Sequence, residues 1–244
     1  MAKAADKKHL ISIEDLFRGS FEVYKKSWRT LLVISLITVI LWRIWQVFLF
    51  PGLLVATGLG SLVVGFATGN IASAVSLGAL GIAIIILSLF IVFEIGFLGS
   101  AALILAIDGR HKGKKLTLSD IYEEIWKVLL PVTIVGLLTF LFEGLGFILL
   151  VLPGLFLLIF LEFANYVAVV EKKGGLSALQ KSISLVKRHF WGVFTRYVAI
   201  SIISFLFNYI FSGYFLLLLA SQTVIMPFTV AYSYLLYRDV SAKS

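Results

Sequence analysis

Cysteine is absent from this chain, and with it go disulfides, thiolate nucleophiles and cysteine-ligated metal or iron–sulfur centres. Charge is scarce too: 14% of residues are Asp, Glu, Lys or Arg, against roughly a quarter in an ordinary soluble domain. There are three histidines, His9, His111 and His189, all among Lys and Arg. None has a His or carboxylate three or four residues on, so no helix-borne metal site is expected. The glycine-rich ATGLGSLVVG at 56–65 is followed by no Lys and is no phosphate loop. AIDGRHKGKK at 106–115 lacks the acidic ligands of a calcium loop. Adjacent Glu123 and Glu124 form a solvated face balancing Lys127. These absences leave no catalytic residue, no metal and no cofactor to expect.

What is present is grease. At 244 residues, 60% hydrophobic and a mean hydropathy of +1.04, the chain holds more apolar surface than one water-soluble core can bury, and is expected to be an integral membrane protein. With about 20 apolar residues needed per crossing, the spans fall at 31–50, 82–107, 128–151, 154–170, 192–211 and 214–237. The first thirty residues have no apolar signal core, and the stretch after them is too long to be one, so it is expected to stay as an anchor.

Six spans put both termini on one side. Segments 1–30, 108–127, 171–191 and 238–244 carry nineteen of the 21 Lys and Arg residues, with Arg196 just inside the fifth span. The opposite connections, 51–81, 152–153 and 212–213, carry no charge. The positive-inside rule then makes the termini cytoplasmic in a multi-pass protein of the cell membrane. Trp28, Trp126 and Trp191 stand where the first, third and fifth spans begin, as interfacial anchors do. A net charge of +8 placed on span flanks points to anionic lipid headgroups as partner rather than nucleic acid. The small-residue stretch 52–81 does not fit as a seventh span, because parity would break. It is expected to be a re-entrant or outer-surface helical element, or else a loose external loop.

Between the fourth and fifth spans, Leu179, Ile183, Val186, Phe190 and Phe194 recur at helical spacing opposite Gln180, Lys181, Ser184, Lys187 and Arg188. Ser177 and Gln180 read as a capping box after Gly174 and Gly175, and the basic face suits a helix lying in the cytoplasmic interface, with Lys181, Lys187 and Arg188 on anionic lipid. The same device recurs near the N-terminus, where Ser12 and Asp15 precede Phe17, Phe21, Tyr24 and Trp28, and again at Thr117 and Asp120 before Ile121, Ile125 and Val128. The turns within span pairs also look alike: Phe50-Pro51-Gly52, Leu152-Pro153-Gly154 and Phe211-Ser212-Gly213. The expected fold is therefore an all-α six-span bundle. It forms one membrane domain, built from three degenerate units at about 12–108, 117–171 and 175–239, each a surface helix plus a hairpin.

LLVLPGLFLLIFLEFANYVAVVEKKGGLSALQKSISLVKRHFWGVF resembles the membrane domain family named after bacterial glycerophosphoryl diester phosphodiesterases. The likeness lies in a span ending at Leu152-Pro153-Gly154, a second span, then Gly175, Ala178, Leu179, Ser182, Leu185, Val186 and Lys187 before an aromatic entry to the next span. LFRGSFEVYKKSWRTLL and LLYRDV fit the same pattern. In the enzymes that gave the family its name, catalysis belongs to a separate soluble barrel. The resemblance implies a stand-alone membrane domain and carries no catalytic residue.

A few polar groups lie inside the spans. Arg43 falls about 18 Å, Glu94 about 21 Å and Glu143 about 23 Å from the cytoplasmic side at ~1.5 Å per residue. Gln46, Asn208 and Gln222 join them in the outer half, and Glu162 with Asn165 forms a second, lower pair. An ionised group in hydrocarbon costs at least ~2.5 kcal/mol unless paired or wet, so these side chains are expected to face inward, with Arg43 paired to Glu94 or Glu143. Two functions follow. One is a non-enzymatic protein that organises lipid or partner proteins at the cytoplasmic face. The alternative is a carrier or lipid-handling protein whose buried Arg/Glu cluster binds a charged headgroup or small ion.

Overall fold

A computed structural model describes residues 10–54, 67–69, 71–114 and 116–243. Among them there is no strand, and six helical stretches are long and apolar enough to cross a bilayer: Ile13–Leu53, Gly81–His111, Leu118–Leu149, Val151–Val170, Phe190–Ile210 and Phe215–Lys243. The protein is an all-α multi-pass bundle, the architecture that satisfies backbone polar groups inside hydrocarbon.

Helix α1, Ile13–Ile44, opens on Ser12, whose hydroxyl accepts from the Asp15 N–H at 3.0 Å. A π-helical turn, Trp45–Leu49, leads into α2, Phe50–Leu54. Then follow α3 (Ile71–His111), α4 (Leu118–Leu149), α5 (Val151–Leu161), α6 (Ala164–Val170), α7 (Gly175–Arg188), α8 (Phe190–Ile210) and α9 (Phe215–Lys243). Thr117 and Asp120 close a reciprocal capping box on α4, as their spacing predicts.

Helix α1 packs on α9 and α3, and α4 packs on α3 and α5. Small residues set the approach. A Cβ added at Gly99 would collide with the Thr38 side chain, and one at Gly146 would meet the Gly154 backbone at 3.0 Å. The tightly packed core lies toward the end carrying the charges, around Leu16, Leu103, Ile107, Tyr232, Tyr234 and Tyr237. At the other end Ile148 to Leu152 are all exposed, as a lipid-facing surface is. The Ile11 N–H donates to Asp239 Oδ2 at 2.8 Å, so the first and last described segments share one end of the bundle, as an even number of spans requires.

The surface helix and the first span are one helix with a kink at Ser27 (φ −134°, ψ 16°). Phe17 stacks on Phe228 and packs at a tilt against Tyr232, whereas the Ser35 hydroxyl donates to the Thr223 carbonyl at 2.8 Å. Eighteen residues of α1, about 27 Å, thus advance by no more than about 14 Å along α9. The first part of α1 therefore crosses the bundle obliquely. The α7–α8 junction repeats the kink at His189 (φ −131°, ψ 30°), again just before the aromatic entry to a span. The α4 junction does not: Leu118–Leu149 runs unbroken through Trp126 and Pro131.

Several expected boundaries are corrected. Pro51 and Gly52 lie within helix that continues directly from the π-helical turn, not in a turn. The second turn falls at Leu150 (φ −164°, ψ 148°) rather than Leu152-Pro153, because Pro153 needs no N–H partner in the first turn of α5. The third is a turn at 211–213. The second span is preceded by helix back to Ile71, which takes up the end of the 52–81 stretch. Residues 55–66 and 70 of that stretch lie outside the described residues. Helix α7 starts at Gly175, not after Ser177: Gly175 takes φ +59°, and the Ser177 hydroxyl bonds back to the Gly174 carbonyl at 2.7 Å.

Candidate functional site

The fourth span is broken. Helix α5 ends at Leu161, Phe163 sits at φ −90°, ψ 1°, and α6 resumes at Ala164. A break inside a bundle frees backbone groups that something must satisfy. Ser182 of α7 does so, accepting from the Phe163 N–H at 3.2 Å and donating to the Phe160 carbonyl at 2.7 Å. That contact fixes the face that α7 buries. Its buried residues are Ala178, Leu179, Ser182, Leu185 and Val186, packed on protein, whereas Ile183, expected on the apolar face, is exposed. The buried face of the helix rests on the bundle.

Glu162 stands at the break. Ser233 of α9 lies near both its carboxylate and the Tyr166 hydroxyl, which donates to the Val230 carbonyl at 3.4 Å. Glu143 of α4 and Tyr197 of α8 lie within electrostatic range of Glu162. Asn165 of α6 reaches the other way, its Nδ2 donating to the Phe97 carbonyl at 3.0 Å and to Ser100 Oγ at 2.5 Å. Four spans thus converge on one interrupted helix. Interrupted helices that expose backbone and carboxylate inside a bundle are the usual way membrane proteins build ion sites.

The single outer cluster expected from sequence resolves into separate sites. Arg43 bonds amides, with Nη1 to Gln46 Oε1 at 2.7 Å and Nε to Gln222 Oε1 at 3.2 Å, and its guanidinium lies 5.8 Å from the Trp42 ring. Among the described residues neither Glu94 nor Glu143 pairs with it. The expected ion pair is corrected: common depth does not place side chains on facing sides of their helices. Glu94 is buried with both carboxylate oxygens unpartnered, seated where a Cβ on Gly136 would otherwise fall. Asn208 donates to its own helix, to the Ser204 carbonyl at 2.7 Å. Glu143 makes no ion pair with Arg43 among the described residues and lies within electrostatic range of Glu162, so the two tiers expected are not separate.

The charged end is tied by tyrosines that no spacing rule singles out. Tyr234 donates to Asp108 at 2.9 Å, and Lys112 pairs with the same carboxylate at 2.6 Å. Tyr237 donates to Glu171 at 2.9 Å, and Lys173 pairs with it at 2.8 Å. Burial pushes the Glu171 carboxyl up, but hydrogen bonds from Lys173 and Tyr237, with the charges of Lys173 and Lys181, outweigh it and hold the group below its ordinary range. Arg196 clamps the N-terminal segment through the Ile11 and Leu10 carbonyls at 2.8 and 3.2 Å. Lys187 and Arg188 are exposed on α7 and Lys181 is half-buried. Trp28, Trp126 and Trp191 are all exposed, as the anchor reading expects.

The fold defines a multi-pass helical membrane protein with its charge collected at one end. Residues 121–239, just under half of the chain, are similar to a family described as a domain of unknown function, DUF7847. The match takes in the broken span, Glu143, Glu162 and α7, and leaves out α1 and α3. No curated protein and no solved structure matches the chain.

Proposed function

We propose that the protein is a non-enzymatic organiser of anionic lipid, and of proteins gathered there, at the cytoplasmic face of the cell membrane. The observation that carries this reading is the one-sided charge: nineteen of 21 cations flank one set of span ends, and the opposite connections have none. Both termini then lie in the cytoplasm, the three repeat units are the duplicated framework, and kinship with the phosphodiesterase membrane domains is part of the same proposal. Lys181, Lys187 and Arg188 project from a helix anchored on protein, which presents charge to headgroups without spending its apolar face on lipid. Co-flotation of the purified chain with vesicles, and lipid analysis of what co-purifies, tests the reading. Enrichment of anionic over zwitterionic lipid is expected, and equal recovery of both would end it.

A second reading rests on the break in the fourth span. There Glu143 and Glu162, rather than Arg43, would serve a carrier of protons or small cations. Flux across reconstituted vesicles that disappears with Glu162→Gln supports that reading. Vesicles as tight with the protein as without it refute it.

A further inference from the structure

We propose that the kink in α1 is a binding site for an anionic glycerophospholipid, with the phosphate in a cationic cavity and an acyl chain in an apolar groove beneath it. The inference rests on the anionic-lipid reading and makes it specific to one place. The cavity, about 250 Å³, is lined by Lys25, Lys26, Arg29, Arg110 and Lys114 together with residues 27–30 of the kink. Among the described residues, no carboxylate lines it. Of the acids on adjoining turns, Asp108 is engaged by Lys112 and Tyr234, Glu124 by Lys127, and Glu22 is exposed. None of the five cations is ion-paired among the described residues. So many like charges repel one another unless an anion joins them.

The kink builds the site. At Ser27 the backbone leaves helical geometry, and Lys25, Lys26 and Arg29 line one cavity around that point. Arg110 reaches across from α3 and donates to the Lys26 carbonyl at 2.6 Å, locking the two walls together. Arg29 lies over the Trp28 ring at 5.3 Å, which places it at the depth of an interfacial anchor. The volume is below the ~300 Å³ at which sites for drug-sized ligands begin, so it suits a small headgroup.

The groove distinguishes a lipid from free phosphate. One turn further into the membrane, a cleft of about 440 Å³ runs between α1, α3 and α4, lined by Ile34, Ile37, Gly99, Ala102, Leu118 and Ile121 among others. Thr30 to Ile34, Ala106 to Ala102 and Leu116 to Leu118 lead from the cavity into it. A ligand with charge at the top and hydrocarbon below fills both.

The test uses the full chain in detergent, with native mass spectrometry of bound phosphatidylglycerol and phosphatidylcholine, and inorganic phosphate or glycerol 3-phosphate as competitor. Lys25→Gln, Arg29→Gln and Lys114→Gln combined are expected to weaken phosphatidylglycerol by roughly tenfold or more and leave phosphatidylcholine unchanged. Lys181→Gln with Lys187→Gln is expected to matter far less at this site. Ile37→Trp, which fills the groove and keeps every cation, is expected to weaken long-chain lipid and spare its short-chain analogue, a second check should the triple variant not fold. Unchanged phosphatidylglycerol binding in the triple variant overturns the site. If the α7 variant loses the lipid instead, the anionic-face reading stands without it. No preference for phosphatidylglycerol in the parent chain sinks both, and displacement by inorganic phosphate at equal concentration reduces the site to a phosphate site.

Discussion

Glu94 and Glu162 are both carboxylates within the spans, and the bundle houses them in opposite ways. Glu94 is sealed between two continuous helices, with no donor at either oxygen, in space left by Gly136. Glu162 stands where a helix is interrupted, beside Ser233, Tyr166, Tyr197 and a second carboxylate. A charged residue type in a span is therefore not one kind of evidence. The same residue is a filler in a closed interface and the centre of a polar network at a broken one.

The break itself is the first thing to attack. Ser182→Val leaves the Phe163 N–H and the Phe160 carbonyl without their partner, so a loss of about 2–4 kcal/mol is expected, read as a lower unfolding midpoint in detergent. A variant as stable as the parent would mean that the interruption needs no support from α7, and the contrast with the unbroken α3–α4 pair would lose its cause.

The two carboxylates should next respond with opposite sign. Glu162→Leu removes the carboxylate at the helix break, with Ser233, Tyr166 and Tyr197 around it, and should cost about 1–3 kcal/mol. Glu94→Leu removes a buried group with no partner and should be neutral or stabilising by a similar amount. Equal destabilisation by both, in the same unfolding assay, would break the comparison. Gly136→Ala sharpens it further. The new methyl falls on the Glu94 carboxylate, so the substitution should cost about 1 kcal/mol or more in the parent and much less beside Glu94→Ala, a coupling that a double-mutant cycle measures directly.

Arg43 is the control, a charge in a span whose partners are amides. Arg43→Leu should cost about 1 kcal/mol, and combining it with Glu94→Leu or Glu143→Leu should be additive within about 0.5 kcal/mol. Rescue by either glutamate variant would restore the ion pair that the structure replaces with Gln46 and Gln222.

Glu171 lies outside the spans and gives the smallest effect. Its carboxyl is held below the ordinary range, so its contribution is present above the unfolded value of about 4.3 and fades as pH falls through the lower folded value. Being partly exposed, the group should contribute only about a few tenths of a kcal/mol. Glu171→Gln should flatten the stability profile below about pH 5 and lower stability near neutrality by those few tenths of a kcal/mol.

Span number, the shared end of the two termini and the Ser12 and Thr117 caps were all written in the sequence. Each depends on local composition, periodicity or a three-residue spacing. Hydrocarbon thickness and backbone hydrogen bonding impose those signals on every membrane helix. The polar interior was legible only as a list: Arg43, Glu94, Glu143, Glu162, Asn165, Asn208 and Gln222 were each visible as misplaced polar residues, but depth along a span says nothing about rotation around it. Tertiary packing decided that Arg43 meets glutamines, that Glu143 lies within electrostatic range of Glu162, and that Ser182 reaches across to hold open a span whose sequence reads as continuous helix. It also decided which face of α7 rests on protein. A helix break and the face a helix buries are set by which neighbour supplies the missing hydrogen bonds, and that neighbour lies elsewhere in the chain.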